Sequence, residues 1–575
     1  MSSPYPHTTL TTLPFEIRDQ IFRSYFTVDG GYVFNGDSEK LSMADGNPID
    51  FSLMYTCRLI ADDTKGMPLS VNTIHFSTVH RSDWNGVAGC FNYVSTFYRL
   101  LERDMVSRLA RFLTPDMYSH LALKFPSFMP QLRIALRQYE YMVNIAGPDQ
   151  NIREGDWEGC AFKWAGGRLY PYSDDWYDGL GHLCKHEDCR YRGLGSEDVQ
   201  GSVSTLGPAM SYCLRLLAEK EPAEFAKLVY QAFPRWVDTH PAHEFFDLSF
   251  HPWAIPSAAE VARVASLLDA DNAWQLIESW YYRPNFSYPS SIRDKISGKA
   301  TGPRCREKIR FSAAAIAIRF LEQLPIKQRL QIQKISLYEN LPTVGTPAAH
   351  AQGFAPFFKE NQKLRIERRV SVLRCIAESH RSLKHQDSLD GPPDVAWFLQ
   401  EPGSRLFLSR NQLNLRLFNL SLADWLFETH AASDVGIPVE SFTLVLEGGP
   451  YVDFCSDLFQ QGVRRDIAWQ KAYDACINRG FLRCKRRVRY NFVDQGFEEA
   501  IEHLTEETSF YRSDFNTGCP LDFEAMVEEQ KGHRINPSWA EAYDKLPSSM
   551  VFPPALDYEK IMVDHYEIQT EDEYS

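Results

Sequence analysis

No stretch of this chain approaches the roughly twenty consecutive apolar residues that a membrane-spanning helix needs. The best run, residues 313–318, is hemmed in by Arg310 and Arg319. Met1-Ser2-Ser3-Pro4 does not open a basic segment followed by an apolar one, so no secretory signal is expected and the sequence places the protein in the cytosol or nucleus. Cysteine is sparse, 12 in 575 residues and mostly single, which suits reduced thiols and argues against a disulfide framework. Positive charge is in deficit as well. A net charge of −14 argues against general nucleic-acid binding, because phosphate contacts need a local excess of Lys and Arg.

Catalytic signatures are also missing. There is no G-x-S-x-G elbow, and Gly448-Gly449-Pro450 lacks both the spaced glycines and the following lysine of a phosphate loop. His243-Glu244 is followed by Asp247 where a zinc-protease helix would carry its second histidine. No cofactor is implied and no enzyme is expected, a hydrolase with an unfamiliar site being the alternative. One cluster has metal-ligand chemistry: His182, Cys184, His186 and Cys189, with Cys160 upstream. Zinc accepts such nitrogen and sulfur ligands. The x-C-x-H-x-x-C spacing is too compressed for a two-knuckle site, and alternate residues of one strand cannot all point at one ion. A polar surface turn is therefore expected there, with zinc binding as the alternative.

What the chain does have is apolar substance. With 44% hydrophobic and 13% aromatic residues it can build large cores, and its length suits about three or four domains. Its most specific stretch lies in residues 1–80. Pro14 suits the first position of a helix, and Glu16 complements the positive end of the helix dipole. Leu13, Ile17, Ile21 and Tyr25 recur every four residues beside Phe22 and Phe26, while Arg18, Asp19 and Arg23 take the other side. Ile17 and Ile21 are expected to face inward, and Leu13 and Pro14 to stay exposed at the helix start. Beyond Gly30-Gly31, Tyr32-Val33-Phe34 reads as a short strand, followed by a polar loop through Pro48. Leu53, Cys57, Ile60 and Ala61 then repeat at helical spacing, Gly66 ends that helix, and Asn72-Thr73-Ile74-His75-Phe76 reads as a strand.

This combination resembles the F-box-like proteins abundant in filamentous fungi. Leu13, Pro14, Glu16, Ile17 and Ile21 match the opening L-P-x-E-I-x-x-x-I pattern, Cys57-Arg58 the later Cys-Arg, and Asn72, Ile74 and Phe76 an N-x-I-x-F strand. The resemblance implies that Leu13, Pro14, Glu16, Ile17 and Ile21 bind a partner, a Skp-type adaptor of a cullin ubiquitin ligase, and that the chain recruits a substrate to it.

The remainder reads as α+β or mixed α/β. Residues 81–300 are mainly helical, with helices expected over 205–233 (broken near Pro222), 258–268 and 272–280, and 307–324 is strongly helix-forming. In 301–550 strands (332–338, 366–373, 441–446, 487–493) alternate with helices (347–360, 457–479, 497–504), as in sheets covered by helices. Irregular solenoid repeats are an alternative arrangement, although no fixed period is evident. Two basic runs stand out, Arg365, Arg368, Arg369 and Arg374, and Arg483, Lys485, Arg486, Arg487 and Arg489; the alternation of Arg487 and Arg489 with Val488 and Tyr490 is that of a solvated strand face, which is the expectation, with an import signal or RNA contact as the alternative. Residues 551–575 form an acidic tail, expected to fray. The functional expectation is a protein-interaction or adaptor protein, with a zinc- or nucleic-acid-binding protein as the alternative.

Overall fold

Ile74 and Phe76, Ile335 and Leu337, Ile366 and Val370, and Leu444 and Leu446 all repeat at even spacing, the signature of strands with one buried face. The computed structural model describes residues 9–130, 132–133, 136, 203–268, 281–282, 304–377, 412–482, 492–493, 496–532, 536–553 and 564–569. In chain order its strands are β1 (Tyr32–Asn35), β2 (Lys40–Met43), β3 (Thr73–Ser77), β4 (Tyr281–Tyr282), β5 (Arg304–Glu307), β6 (Lys334–Glu339), β7 (Arg365–Ser371), β8 (Gln412–Asn414), β9 (Phe442–Glu447), β10 (Tyr511–Ser513), β11 (Ser549–Val551) and β12 (Tyr566–Gln569). Seven of them form one sheet in the order β10-β9-β7-β6-β3-β1-β2. All neighbours in it are parallel except the β1–β2 hairpin. The fold is mixed α and β, with helices interleaved between mostly parallel strands.

The strand order is monotonic. Each parallel strand after β1 is laid beside its predecessor on the same side, and right-handed crossovers of that kind carry their helices to one face. The face bearing Phe34, Phe76, Ile335, Leu337 and Ile366 is buried in the main core, and Leu444, Leu446 and Tyr511 continue it in a second cluster. Phe320, on the helix Ala313–Gln323, packs on Phe34 and Phe76, and the Tyr511 hydroxyl donates to the Leu426 carbonyl of the helix Leu415–His430 (2.8 Å). Charge is built into this face too. Arg368 and Glu339 are fully buried; the guanidinium donates to Glu339 Oε1 through Nε (3.0 Å) and Nη2 (2.7 Å) and to the carbonyls of Pro347 and Ala348. Glu339 also accepts from the Ala313 and Ala314 amides, which ties β6 and β7 to a helix start.

Several elements differ from the sequence reading. The loop expected through Pro48 contains β2, because Leu41 turns onto the core opposite Phe34. The helix expected over 307–324 begins only at Ala313, where the Ser312 side chain accepts from the Ala315 amide. Ahead of it β5 is a strand, and Phe311 bridges Val79 in extended form. Arg368 is a core residue, not part of a solvated basic face: it lies on the side of β7 that carries Ile366 and Val370. The strand expected over 366–373 ends at Ser371 and passes into a wide helical turn, Val372–Ala377. The helix expected over 457–479 starts earlier, at Val452, with one wide turn at Phe459–Val463 before Arg464–Asn478. In the acidic tail, β12 is not frayed: it pairs β5, and Glu567 meets Arg306 and His80. The expected helix over 272–280 lies outside the described residues, and so does 487–491 of the expected strand over 487–493.

The longest helix among the described residues escaped the sequence reading. It follows three helices of the N-terminal segment: α1 (Phe15–Phe26), α2 (Arg58–Thr64) and α3 (Met67–Val71); α4 itself is Asn85–Leu109. Ala88, Phe91, Val94, Tyr98, Leu101 and Met105 recur every three or four residues along its buried side. The sheet crosses the boundary drawn at residue 80, since β3 lies between β1 and β6.

Candidate functional site: an exposed apolar helix face

Pro14 stands one residue ahead of α1, extended at φ −53° and ψ 148°, and its carbonyl accepts from the Ile17 and Arg18 amides at 3.1 Å each. Proline suits the spot because no amide is needed there. Glu16 occupies the first turn and Arg23 the last, each matching the helix dipole. Arg18 then locks the approach: it reaches Asp63 of α2 through Nε (2.9 Å) and Nη2 (2.8 Å) and the Leu13 carbonyl through Nη1 (2.8 Å).

The other end of α1 is held by Asn72, the first residue of the N-x-I-x-F stretch. Its buried amide donates to the Phe26 carbonyl (2.7 Å) and the Pro68 carbonyl (2.9 Å), and its oxygen accepts from the Val28 amide (2.9 Å). One side chain therefore satisfies the end of α1, the loop after it and α3. Between these anchors Phe22 and Phe26 fill a small core with Ile60 and Met67.

The outward side of α1 is apolar. Phe15 (55%), Ile17 (43%), Ile21 (41%) and Tyr25 (43%) keep about half of their surface in solvent, and Ile17, Ile21 and Tyr25 are spaced by four residues, so they share one stripe. This corrects the expectation that Ile17 and Ile21 face inward. The helix carries two apolar stripes, and the small core takes only the one with the larger rings, Phe22 and Phe26. Leu13, expected to stay exposed, is half-buried, because its carbonyl is drawn in by Arg18; Pro14 is exposed as expected, and Glu16 is exposed as well. The Tyr25 hydroxyl donates to Asp50 (2.6 Å) and lies 3.2 Å from the Ser52 hydroxyl, which brings the exposed Phe51 to the end of the stripe. Tyr55 and Leu59 are exposed in the following turns, as are Cys57 and Arg58.

One Ser–His pair among the described residues is closed off. Ser312 Oγ lies 2.6 Å from His350 Nδ1, and His350 Nε2 lies 3.0 Å from the Gly345 carbonyl. A neutral imidazole with its proton on Nε2 satisfies both contacts. Burial, with the Arg368 charge second, lowers the pKa of His350 to about 3, and both side chains are buried, so the pair braces the core and offers no nucleophile to solvent. His182, Cys184, His186 and Cys189 lie outside the described residues. Among the described residues no three His, Cys, Asp or Glu side chains gather as a metal site, and no helix is long and apolar enough to cross a membrane. Comparison with family models, with curated proteins and with solved structures yields no match.

Proposed function

We propose that this chain is an interaction protein that uses the outward stripe of α1 to dock on a Skp-type adaptor of a cullin ubiquitin ligase, with the rest of the chain recruiting a second protein. The observation that carries the reading is the exposure of Phe15, Ile17, Ile21 and Tyr25 on one short helix whose inner face is already filled by Phe22 and Phe26. A contiguous apolar patch on an otherwise charged chain is an interaction surface by default. Large apolar side chains at the centre of such a surface carry most of the binding energy. The Leu13-Pro14-x-Glu16-Ile17 pattern supports the choice of partner, and Arg18 and Asn72 anchor this helix at both ends so that the stripe is held in place. The test is capture of a purified Skp-type adaptor by the purified full chain, with Ile17→Asp, Ile21→Asp as the variant. Wild-type capture that is lost in the variant, with an unchanged circular dichroism spectrum, is the expected result. An adaptor that never binds the wild-type chain would overturn the reading.

A further inference from the structure

Among the described residues the apolar core packs on one face of the main sheet, and the second face is mostly polar. Residues paired across neighbouring strands point to the same side. The pairings therefore place Ser42, Val33, His75, Ser336, Glu367 and Thr443 in one row across the sheet, and Ser77, Tyr338, Arg369, Val445 and Arg512 in the next. Lys334 and Arg365 face each other at one margin, and Lys40 lies on the β2 edge opposite Asn35. This face is polar and accessible mainly at its margin: Lys40, Lys334 and Arg365 are exposed, His75, Tyr338, Glu367 and Arg369 are half-buried, and Ser336 and Val445 at its centre are buried.

Its charge runs against that of the chain. The protein carries a net charge of −14, yet the face presents Lys40, Lys334, Arg365, Arg369 and Arg512 against Glu367 and Glu447, with Glu507 pairing Arg512 at 3.8 Å. Arg369 takes up both carboxylates, bonding Glu367 through Nε (2.5 Å) and Glu447 through Nη1. Lys334 and Arg365 have no ion-pair partner among the described residues, and the Arg365 guanidinium donates to the carbonyls of Gln362 and Leu364. Like charges directly opposite in a sheet are destabilising. Solvent screens the Lys334–Arg365 repulsion at this exposed margin, and an anion bound there would relieve it. Beside them lies an apolar foothold, with the His75 and Tyr338 rings 5.8 Å apart and Val33 exposed next to His75.

We propose that this polar face binds an extended acidic protein segment, whose carboxylates meet Lys334 and Arg365 and whose apolar side chain rests on Val33, His75 and Tyr338. From β1 to β10 the face is about 24 Å wide at about 4.8 Å per strand, room for roughly seven extended residues. The site is separate from the α1 stripe and does not depend on what that stripe binds.

The test is fluorescence anisotropy of the full chain with a fluorescein-labelled peptide of alternating Glu and Ala with a central Tyr, against its Lys-for-Glu counterpart and a single-stranded oligonucleotide. The acidic peptide is expected to bind best, more weakly as salt rises, and at least tenfold more weakly to a Lys334→Glu, Arg365→Glu variant. Both side chains are exposed, so the variant should keep its melting temperature; Ile21→Asp, in the other surface, should bind the peptide as wild type does. No binding of the acidic peptide, equal binding by the charge-reversed variant, or tighter binding of the oligonucleotide would each overturn the proposal.

Discussion

Replacing Phe22 by Ala should loosen α1 far more than replacing Ile17 and Ile21 together. Phe22 is 0% exposed and fills the small core against Ile60 and Met67, so its removal loses transfer energy and leaves a cavity, costing about 3–5 kcal/mol. Ile17 and Ile21 bury little more than half of their surface, so their truncation leaves space open to water rather than an enclosed void. Full burial of an Ile is worth about 1.5–3 kcal/mol, so each truncation to Ala removes about 1 kcal/mol. Ala's higher helix propensity returns roughly 0.4 kcal/mol per site. A chain this large need not unfold in one step, so a local readout is required. Hydrogen exchange of the α1 amides, followed by mass spectrometry, supplies it. Phe22→Ala should accelerate exchange more than a hundredfold, since each 1.4 kcal/mol is about a factor of ten, whereas Ile17→Ala, Ile21→Ala should accelerate it by less than about tenfold. If the double Ile variant exchanged as fast as Phe22→Ala, the inward and outward stripes would have been assigned the wrong way round, and the docking surface would fall with them.

Asn72→Ala should release the segment between α1 and β3, because the Phe26 and Pro68 carbonyls and the Val28 amide lose their partner at roughly 1–3 kcal/mol per unsatisfied buried group; limited proteolysis should cut residues 27–72 sooner, and an unchanged cleavage pattern would refute the anchoring role. Asn72→Asp should be no milder, since it keeps the acceptor for Val28 but loses both donated bonds. Glu102, buried in α4 and accepting from the Tyr98 and Ser211 hydroxyls, has its pKa raised to about 7 by burial, with those hydrogen bonds opposing the shift. The folded state therefore binds the proton more tightly than the unfolded one, so stability is present at low pH and falls by roughly 3 kcal/mol as pH rises from about 4.5 to about 7. Glu102→Gln, which keeps the accepting oxygen, should remove that slope and stabilise the chain above neutrality; denaturation at several pH values that leaves the slope in place would show the carboxyl to be ionised without penalty.

Local chemistry decided much of this protein before any tertiary contact. The start of α1 at Pro14 and Glu16, the Gly66 stop, and the even spacing of Ile74 and Phe76 or of Leu444 and Leu446 follow from backbone sterics, the helix dipole and strand periodicity, and the structure follows them. The mixed α and β class follows from the alternation of such segments. Tertiary structure decided which stripe of α1 is buried, because two apolar faces compete for a core of four side chains and only packing volume separates them. It decided the fate of the arginines: Arg365, Arg368 and Arg369 are nearly identical in sequence context, yet strand parity sends Arg368 inward to Glu339 and leaves Arg365 and Arg369 on the polar side. It also decided strand order, on which the polar face depends. Residues as distant as Val33, His75, Ser336, Glu367 and Thr443 come into one row only when parallel strands are laid down in a single direction, and nothing local in the chain encodes that register.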